Sequence, residues 1–250
     1  MSPSSLPQII AAFHSFYSFL TTLPADINTL AILSPPPSPH GWPSLTPTYL
    51  SPLRKTLSVI SLLQHLPYID ENASGSTQIA FQTNAIDFRG PSTRWSIDTG
   101  QIEGTMEPVG AGVIPEWVVC LTSGGRDGSW LLLDTREGTI TDFIQQERPE
   151  HDEPGPDSPD FWRAYHTLPI ADFLEEWKEK YRSLEWVVVP KNEFDAVMVR
   201  HDAATDEVRA IYRAYGWPDA FRREECREAL LEWERRHLSI ANHSNAASYS

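Results

Sequence analysis

The chain has 250 residues, of which 40% are hydrophobic and 22% are charged, and its formal net charge is −14. This composition is typical of a globular protein with a sizeable core, and the negative charge disfavours binding to nucleic-acid phosphates or to anionic membranes. A basic protein partner is compatible with it. The two cysteines, Cys120 and Cys226, form no CxxC pair, so we predict neither a disulfide framework nor a zinc site. A reducing, cytoplasmic compartment is favoured.

The first fifth of the chain predicts a helical arm over residues 1–34 and a proline-rich linker over residues 35–50. No lysine or arginine precedes Arg54, and no unbroken apolar run of about 18 residues occurs, so a helix packed on the body is favoured over a signal peptide or a membrane span. The high proline content of the linker excludes a helix or a central strand there. One face of the arm carries apolar residues at spacings of three and four: Ile9, Phe13, Phe16, Leu20 and Leu23.

A second helix is predicted to begin at Ser51, which reads as an N-cap followed by proline, and to end before Pro67. Apolar residues alternate from Ile79 to Thr83 and from Trp95 to Ile97, which predicts two edge strands. The following residues, 99–116, are rich in glycine and proline and predict a long loop.

The stretch from Trp117 to Ile144 carries the clearest pattern in the chain. Two short apolar runs, WVVCLT and WLLLDT, flank the turn SGGRDGS, and a second turn leads to the alternating TITDF. Short apolar runs bounded by glycine are typical of central strands, whose side chains pack on both faces of a sheet. We therefore predict a buried antiparallel meander, with these residues buried in adjacent strands: Val118, Leu121, Leu131 and Leu133.

An acidic, proline-rich insertion follows the meander, and residues Glu147 to Asp160 are predicted to be exposed and disordered. A helix is expected from about Ile170 to Leu184, and Trp186 then opens one more short strand. The buried face of that helix is predicted to hold Phe173, Leu174, Trp177 and Tyr181.

The tail predicts two helices. The first begins at Asp206 and stops at Gly216, because a left-handed glycine commonly ends a helix and Pro218 cannot continue it. The second begins at Pro218 or Asp219, and the last twelve residues of the chain are polar and predicted to fray. The buried face of the second helix is expected to hold Phe221, Cys226, Ala229, Leu230 and Trp233.

No motif in the sequence gives a catalytic constellation. The glycine-rich loop 123–128 is followed by a strand, whereas a phosphate-binding loop needs a helix there, so we interpret it as a hairpin loop. Cys120 lies in mid-strand, which predicts a buried, protonated thiol. The run 150–153 has cation ligands in a segment too flexible to fix their geometry, and His201-Asp202 has no visible nucleophile beside it. We predict no catalytic residue, no cofactor and no metal site.

The central pattern, with the helix and tail after it, resembles the SUKH superfamily, the Smi–Knr type that includes fungal cell-wall regulators and bacterial toxin-immunity proteins. The early LPxxYxxFL segment of that family has no proper match in this chain. The resemblance implies an α+β domain used for protein–protein interaction, without catalysis or cofactor. The tail of this chain resembles an extension found in fungal members. The positions that carry it are Val118 to Leu121, Gly124 to Gly128, Leu131 to Asp134, Gly138 to Ile140, Ile170 to Trp177 and the tail from Tyr212 to Trp233.

These observations predict an α+β core over residues 51–190, in which helices cover a central antiparallel sheet, and a helical extension over residues 191–240. The resemblance implies a non-enzymatic interaction module, a scaffold or regulator in cell-wall or signalling control, whose partner is another protein and which neither binds nucleic acid nor inserts into a membrane. Two alternatives stay open. One is an immunity-type inhibitor of a basic enzyme. The other is an enzyme with a dispersed active site, which a pocket gathering His166, Asp134 and Arg126 would favour.

The partner is predicted to bind at the C-terminal helical pair, around Trp217. This tryptophan lies in a turn between two helices, and tryptophan and arginine are the residues that most often carry interface energy. Arg222, Arg223 and Arg227 follow within about three helical turns. The alternative is that Trp217 pins the tail to the sheet domain.

Overall fold

The computed structural model describes residues 5–37, 40–72, 77–190 and 196–247, and it has the predicted α+β fold. The helices within these residues are α1 (Leu6–Leu20), α2 (Leu57–His65), α3 (Pro91–Thr99), α4 (Ile170–Arg182), α5 (Ala203–Ala214) and α6 (Arg223–Ala247). The strands are β1 (Ile32–Leu33), β2 (Tyr68–Ile69), β3 (Gln78–Ala80), β4 (Thr83–Ala85), β5 (Val118–Cys120), β6 (Thr122–Ser123), β7 (Trp130–Asp134), β8 (Thr139–Phe143), β9 (Thr167–Pro169), β10 (Val187–Val188) and β11 (Val197–Met198). They form antiparallel sheets, of which β5-β7-β8-β9 and β3-β4-β6 are the two larger.

The predicted meander forms the four-stranded sheet, with β7 buried along its whole length. Leu131 and Leu133 face the main hydrophobic core, to which α1, α2 and α4 also contribute. Trp130 and Leu132 face a second cluster, which Trp162 closes from the other side. The sheet is therefore covered on both faces, and the predicted burial is confirmed for Val118, Leu121, Leu131 and Leu133.

The first strand of the meander was predicted as one run, but the structure divides it between two sheets at Leu121. β5 pairs with β7, whereas β6 pairs with β4. At the break, the Thr122 hydroxyl accepts a hydrogen bond from the Leu131 amide and donates one to the Ser129 carbonyl oxygen, both at 2.8 Å. When a side-chain hydroxyl takes the place of a main-chain group in the hydrogen bonds between two strands, the strand can bend there, as it does at a β-bulge. The bend brings the loop before β7 against the β3-β4 turn.

The N-terminal helix packs on the body, as predicted, and shares one core with the sheet. The Phe16 ring meets Trp177 of α4 edge-on, with ring centroids 6.0 Å apart, and Trp177 also contacts Trp186 at 5.2 Å. All the predicted inward residues of α1 and α4 are buried: Ile9, Phe13, Phe16, Leu20 and Leu23 on the first segment, and Phe173, Leu174, Trp177 and Tyr181 on the second.

The proline-rich segment forms no helix or central strand, as predicted, but it is not an extended linker. The Trp42 amide donates to the Gln64 carbonyl oxygen, and the Gln64 side chain donates to the Leu45 carbonyl oxygen, both at 2.8 Å. Leu45 is fully buried. Apolar residues between the prolines therefore dock this segment on α2; Ser38 and Pro39 lie outside the described residues.

The second helix begins later than predicted. Ser51 starts a single 3-10 turn that ends at Arg54, whose φ of 52° lies in the left-handed region. α2 then begins at Leu57, where the Thr56 hydroxyl caps it by accepting from the Val59 amide at 3.4 Å. The predicted end before Pro67 is confirmed.

The two predicted edge strands have different outcomes. Residues 79–83 form the hairpin of β3 and β4, which turns at Gln82 with a φ of 46°. Residues 95–97 belong to helix α3, so the strand prediction there is wrong. Two apolar side chains in three residues fit the period of a helix as well as that of a strand. Pro91 at the start of the segment and Gly100 at its end, with a φ of 72°, are signals that favour a helix. The predicted loop is confirmed for residues 100–116, since residue 99 is the last of α3.

The acidic insertion is mostly exposed, as predicted, but the structure places its whole length instead of leaving it disordered. The His151 amide donates to the Ala164 carbonyl oxygen at 3.0 Å, and the Val113 amide donates to the Pro159 carbonyl oxygen at 3.1 Å. Main-chain hydrogen bonds of this kind anchor a segment that has few apolar side chains.

The tail folds into the two predicted helices with shifted boundaries. α5 begins at Ala203, because Asp202 caps it by accepting from the Thr205 amide at 2.8 Å, and the predicted stop at Gly216 is confirmed by a φ of 85°. α6 begins at Arg223 instead of residue 218 or 219, since a turn closed by the Ala220 amide on the Gly216 carbonyl oxygen (2.9 Å) comes first. α6 also continues to residue 247, into the stretch predicted to fray, and residues 248–250 lie outside the described part.

Candidate functional site

The predicted partner-binding tryptophan, Trp217, lies half-buried where the tail meets the sheet domain. Its Nε1 donates to the Arg182 carbonyl oxygen (3.0 Å), and its ring contacts Phe221 and Tyr212 edge-on at 4.9 and 5.9 Å. Nearby Arg222 is exposed and forms an ion pair with the carboxylate one turn further along α6. These contacts favour a pinning role for Trp217, and partner binding at this position stays a prediction.

The other two predicted arginines hold the N-terminal segment. Arg223 donates from Nε to the Leu23 carbonyl oxygen at 2.8 Å. Arg227 donates to the Ala25 carbonyl oxygen and to Asp26 Oδ1, both at 2.7 Å. We call these contacts between the two arginines and residues 23–26 the C-terminal clamp. Both guanidinium groups thus have partners within the chain, and their role in partner binding is a prediction that these contacts do not decide.

The residues that would have favoured an enzyme do not come together. Asp134 is buried at the end of β7 and pairs with Arg163 at 2.7 Å. Arg126 lies on the hairpin loop with 71% of its side chain exposed. Of the three, His166 alone lines the cavity described below, where Asp142 is its neighbour.

Both cysteine thiols are buried, as predicted for Cys120. Burial raises the pKa of Cys120 to about 12, and its Sγ donates to the Thr122 carbonyl oxygen at 3.1 Å. Burial likewise raises the pKa of Cys226 to about 12. A thiol with so high a pKa is protonated at neutral pH and is a poor nucleophile.

The glycine-rich loop lies between β5 and β7, which pair antiparallel, and this confirms the hairpin interpretation. The Gly128 amide donates to the Gly124 carbonyl oxygen at 2.8 Å. A Cβ atom at Gly128 would collide with the Gln82 carbonyl group, so glycine is needed for the loop to approach the β3-β4 turn.

The candidate cation ligands of residues 150–153 do not converge on one point. Glu150 faces His166, with Oε1 3.0 Å from Nδ1. Across the described ranges, no group of three histidine, cysteine or acidic side chains is placed to hold a metal ion.

A cleft of about 460 Å³ opens beside the central sheet, between the end of β8, the start of β9, α4 and the β3-β4 turn. The described basic residues that line it are Arg148 and Lys180, together with His166. Six acidic residues line it, which gives a formal charge of −4 with the histidine neutral (two minus six): Asp127, Asp142, Glu147, Glu150, Glu176 and Glu185. We call it the acidic cleft.

Asp142 is the most enclosed carboxylate of the acidic cleft. It lies on β8 directly opposite Leu131, on the sheet face that packs on α4, and its amide donates to the His166 carbonyl oxygen at 2.9 Å. Its Oδ1 is buried and has no hydrogen-bond partner among the residues that the structure describes. Burial raises the pKa of Asp142 from 3.8 to about 6, against the opposing effects of a hydrogen bond from Ser129 and the charge of Lys180.

The histidine of the acidic cleft lies between two carboxylates. His166 Nε2 is 3.1 Å from Glu176 Oε2, and Nδ1 faces Glu150. Glu176 also pairs with Lys180 at 3.3 Å. Burial opposes ionisation of Glu176, but the hydrogen bond from His166 and the charge of Lys180 outweigh it and lower the pKa. These four side chains therefore satisfy one another.

Aromatic side chains form the apolar part of the wall: Phe81, Tyr165 and Trp186 line the acidic cleft. The Lys180 ammonium group lies 5.1 Å from the centroid of the Trp186 ring. A cationic group is thus already held over an aromatic face at this site, which is a favourable arrangement.

Two other cavities differ from the acidic cleft in their polar groups. One of about 640 Å³ lies beside α3, where Asp87 accepts from Arg89 Nη2 at 2.7 Å and Glu71 accepts from the Ser92 amide at 3.1 Å. A groove of about 800 Å³ between α1 and α2 is mainly apolar. In the part of the chain that the structure describes, the buried side-chain polar atoms without a partner are Asp142 Oδ1 and Trp162 Nε1, and the first of them belongs to a residue that lines the acidic cleft.

One signal in the sequence pointed to the acidic cleft, but the prediction of a strand at TITDF made no use of it. Asp142 occupies a position in TITDF that alternation assigns to the same face as Ile140, which is fully buried. A carboxylate on a core-facing position is unusual, because a buried charge needs compensation. His166 and α4 complete the site from later in the chain.

The chain matches no protein-family model, no curated protein and no solved structure. The resemblance to the SUKH superfamily therefore stays a prediction based on the residues that carry it. No helix in the described ranges combines the length and the apolar composition needed to cross a membrane.

Proposed function

We propose that this chain is a non-enzymatic protein-interaction module, and that a partner protein docks in its acidic cleft. The observation that carries the proposal is Asp142 Oδ1, a buried carboxylate oxygen of a residue on the wall of a cavity, for which the described residues provide no hydrogen-bond partner. An unsatisfied buried acceptor costs about 1–3 kcal/mol, and more when it is charged. A partner that donates to it offsets this cost. The resemblance to cell-wall regulators supports the same class of function, a scaffold or regulator that acts by binding.

The arrangement of His166 also favours binding over catalysis. Each of its ring nitrogens lies within 3.1 Å of a carboxylate oxygen, of Glu150 on one side and of Glu176 on the other. A general base has to reach the proton that it removes. Among the described residues, neither nitrogen has a hydroxyl or a thiol as a hydrogen-bond partner, and both cysteine thiols lie buried.

Affinity capture with matched charge reversals tests the proposal. The tagged chain is compared with Glu147→Lys, on the exposed rim of the acidic cleft, and with Asp98→Lys, at an exposed position on α3 outside it. Proteins that bind the wild type and the Asp98 variant but not the Glu147 variant are then purified and titrated directly. We expect at least a tenfold loss of affinity for Glu147→Lys alone. A set of bound proteins that both variants retain, or both lose equally, would exclude docking in the cleft.

A second candidate function rests on the pKa of Asp142. A carboxyl group whose pKa burial raises to about 6, beside a histidine in a cleft, has the properties of a general acid or base. This enzyme would have the dispersed active site left open by the sequence. It predicts that a turnover detected with the wild-type chain in a panel of hydrolase substrates disappears in Asp142→Asn and persists in Asp98→Asn. The immunity-type inhibitor is the variant of the first proposal in which the partner is a basic enzyme.

A further inference from the structure

We infer that the acidic cleft receives an arginine or lysine side chain from a basic segment of the partner, and that its cationic group hydrogen-bonds to Asp142. This inference rests on the proposed function and names the chemistry of the partner at the same site. It follows from the pairing of the charges, from the walls and from the rim of the cleft.

The pairing of the charges leaves one acceptor deep in the cleft. Glu176 is held by His166 and Lys180, and Glu150 is held by His166. Asp142 Oδ1, by contrast, is enclosed and has no hydrogen-bond partner within the described ranges. A buried charge is tolerated when it is paired and hydrogen-bonded, so the group that completes this site is a donor with positive charge.

The walls favour a long cationic side chain over a bare metal ion. A metal ion needs several oxygen or nitrogen ligands that converge on it, and the described residues provide no such group. Tyr165 and Trp186 instead present aromatic surface beside the carboxylate. Arginine and lysine bury an aliphatic stem along such a surface while the charged head reaches an acceptor.

The rim favours a segment with more than one basic residue. Asp127, Glu147 and Glu185 are exposed at the mouth of the cleft. Exposed carboxylates contribute little affinity each, but together they steer a cationic segment toward the opening and speed its association. The single anchored side chain then decides the dissociation rate.

The test uses fluorescence anisotropy with two labelled nine-residue peptides. One has the sequence GSRARARSG, and the other replaces each arginine by citrulline, which has nearly the same shape and no charge. We expect the arginine peptide to bind the wild-type chain and the citrulline peptide to bind at least tenfold more weakly. Asp142→Asn should weaken the arginine peptide at least tenfold, whereas Asp98→Asn, which removes the same charge outside the cleft, should change its affinity less than twofold.

The outcomes separate this inference from the proposed function. Equal binding of both peptides, or equal affinity of the wild type and Asp142→Asn, would overturn the inference. So would an arginine peptide that fails to bind while a purified partner still depends on Glu147, and in that case docking in the cleft would stand. If thermal melting shows that Asp142→Asn is unfolded, Glu147→Gln on the exposed rim replaces it, with an expected loss of two- to threefold against no loss for Asp98→Asn.

Discussion

The C-terminal clamp and the acidic cleft are both rich in charge, yet they differ in what their charges contact. In the clamp, the Arg227 guanidinium reaches a carbonyl oxygen and a carboxylate of the N-terminal segment at 2.7 Å. In the cleft, the enclosed carboxylate of Asp142 has one oxygen, Oδ1, with no hydrogen-bond partner among the described residues. One region has its hydrogen bonds completed within the molecule, and the other has not.

If a partner docks in the acidic cleft, as proposed, hydrogen-bond satisfaction is a better guide to an interface than residue type. Tryptophan and arginine are frequent at binding hot spots, and the sequence therefore pointed to Trp217 and its neighbouring arginines. The same residue types also stabilise junctions within a chain, because they combine large contact area with several donors. An acceptor that is buried without a partner is the rarer observation, and so it is the more informative one.

The largest expected effect concerns Trp217. We expect Trp217→Ala to lower the free energy of unfolding by about 2–3 kcal/mol, somewhat less than for a fully buried tryptophan, because the side chain is half-buried. Trp95→Ala is the control, since 52% of Trp95 is exposed, and it should change stability by less than about 0.5 kcal/mol. Urea melts of the two variants measure this. If Trp217→Ala is as stable as the control, the pinning role is wrong and Trp217 is again a candidate for partner binding.

The clamp itself is tested at Arg227. We expect Arg227→Ala to cost about 2 kcal/mol, since it removes charge-assisted hydrogen bonds and leaves Asp26 without this partner. Arg222→Ala removes an exposed guanidinium from the residue just before the same helix and should cost less than about 0.5 kcal/mol. The readout is the urea midpoint of each variant, together with hydrogen exchange of the amides in residues 23–26. Unchanged exchange there would show that the clamp does not hold the N-terminal segment.

Short-range patterns predicted much of this fold. The apolar runs that became β7 and β8, and the helical spacing on α1 and α4, are local signals that burial confirms. The break at Leu121 was not predictable from its run, because Thr122 suits a strand as well as its neighbours do. It depends on a hydroxyl that meets the chain again at residues 129 and 131.

The sites were harder to predict, because they join distant parts of the chain. Arg227 and Asp26 are about 200 positions apart, and nothing in either local sequence signals the contact. Likewise, Asp142 becomes significant only when β9 and α4 are placed around it, with His166 and Glu176. The burial of Cys120, by contrast, followed from its own strand and needed no tertiary information.

The smallest expected effect concerns the pH dependence of stability at Asp142, and it is the most direct measure of the difference between the two regions. Burial raises the pKa of this carboxyl from 3.8 to about 6 in the folded chain. As pH rises from about 4 to about 6, the unfolded chain therefore loses this proton first, and the folded state becomes less stable by up to about 3 kcal/mol. Because the residue is partly exposed, we expect about 1 kcal/mol.

Asp142→Asn cannot ionise, so its free energy of unfolding relative to the wild type should be about 1 kcal/mol higher at pH 7.5 than at pH 4. The other charged groups that face Asp142 are Lys180, Glu147 and His166, and since both proteins contain them, their own titration largely cancels in the difference. Urea melts at pH 4, 5, 6 and 7.5 give the curve, with Asp98→Asn as the exposed control. A difference that is flat with pH, or that falls as pH rises, would mean that the Asp142 carboxylate is already compensated within the chain, and the cleft would then resemble the clamp.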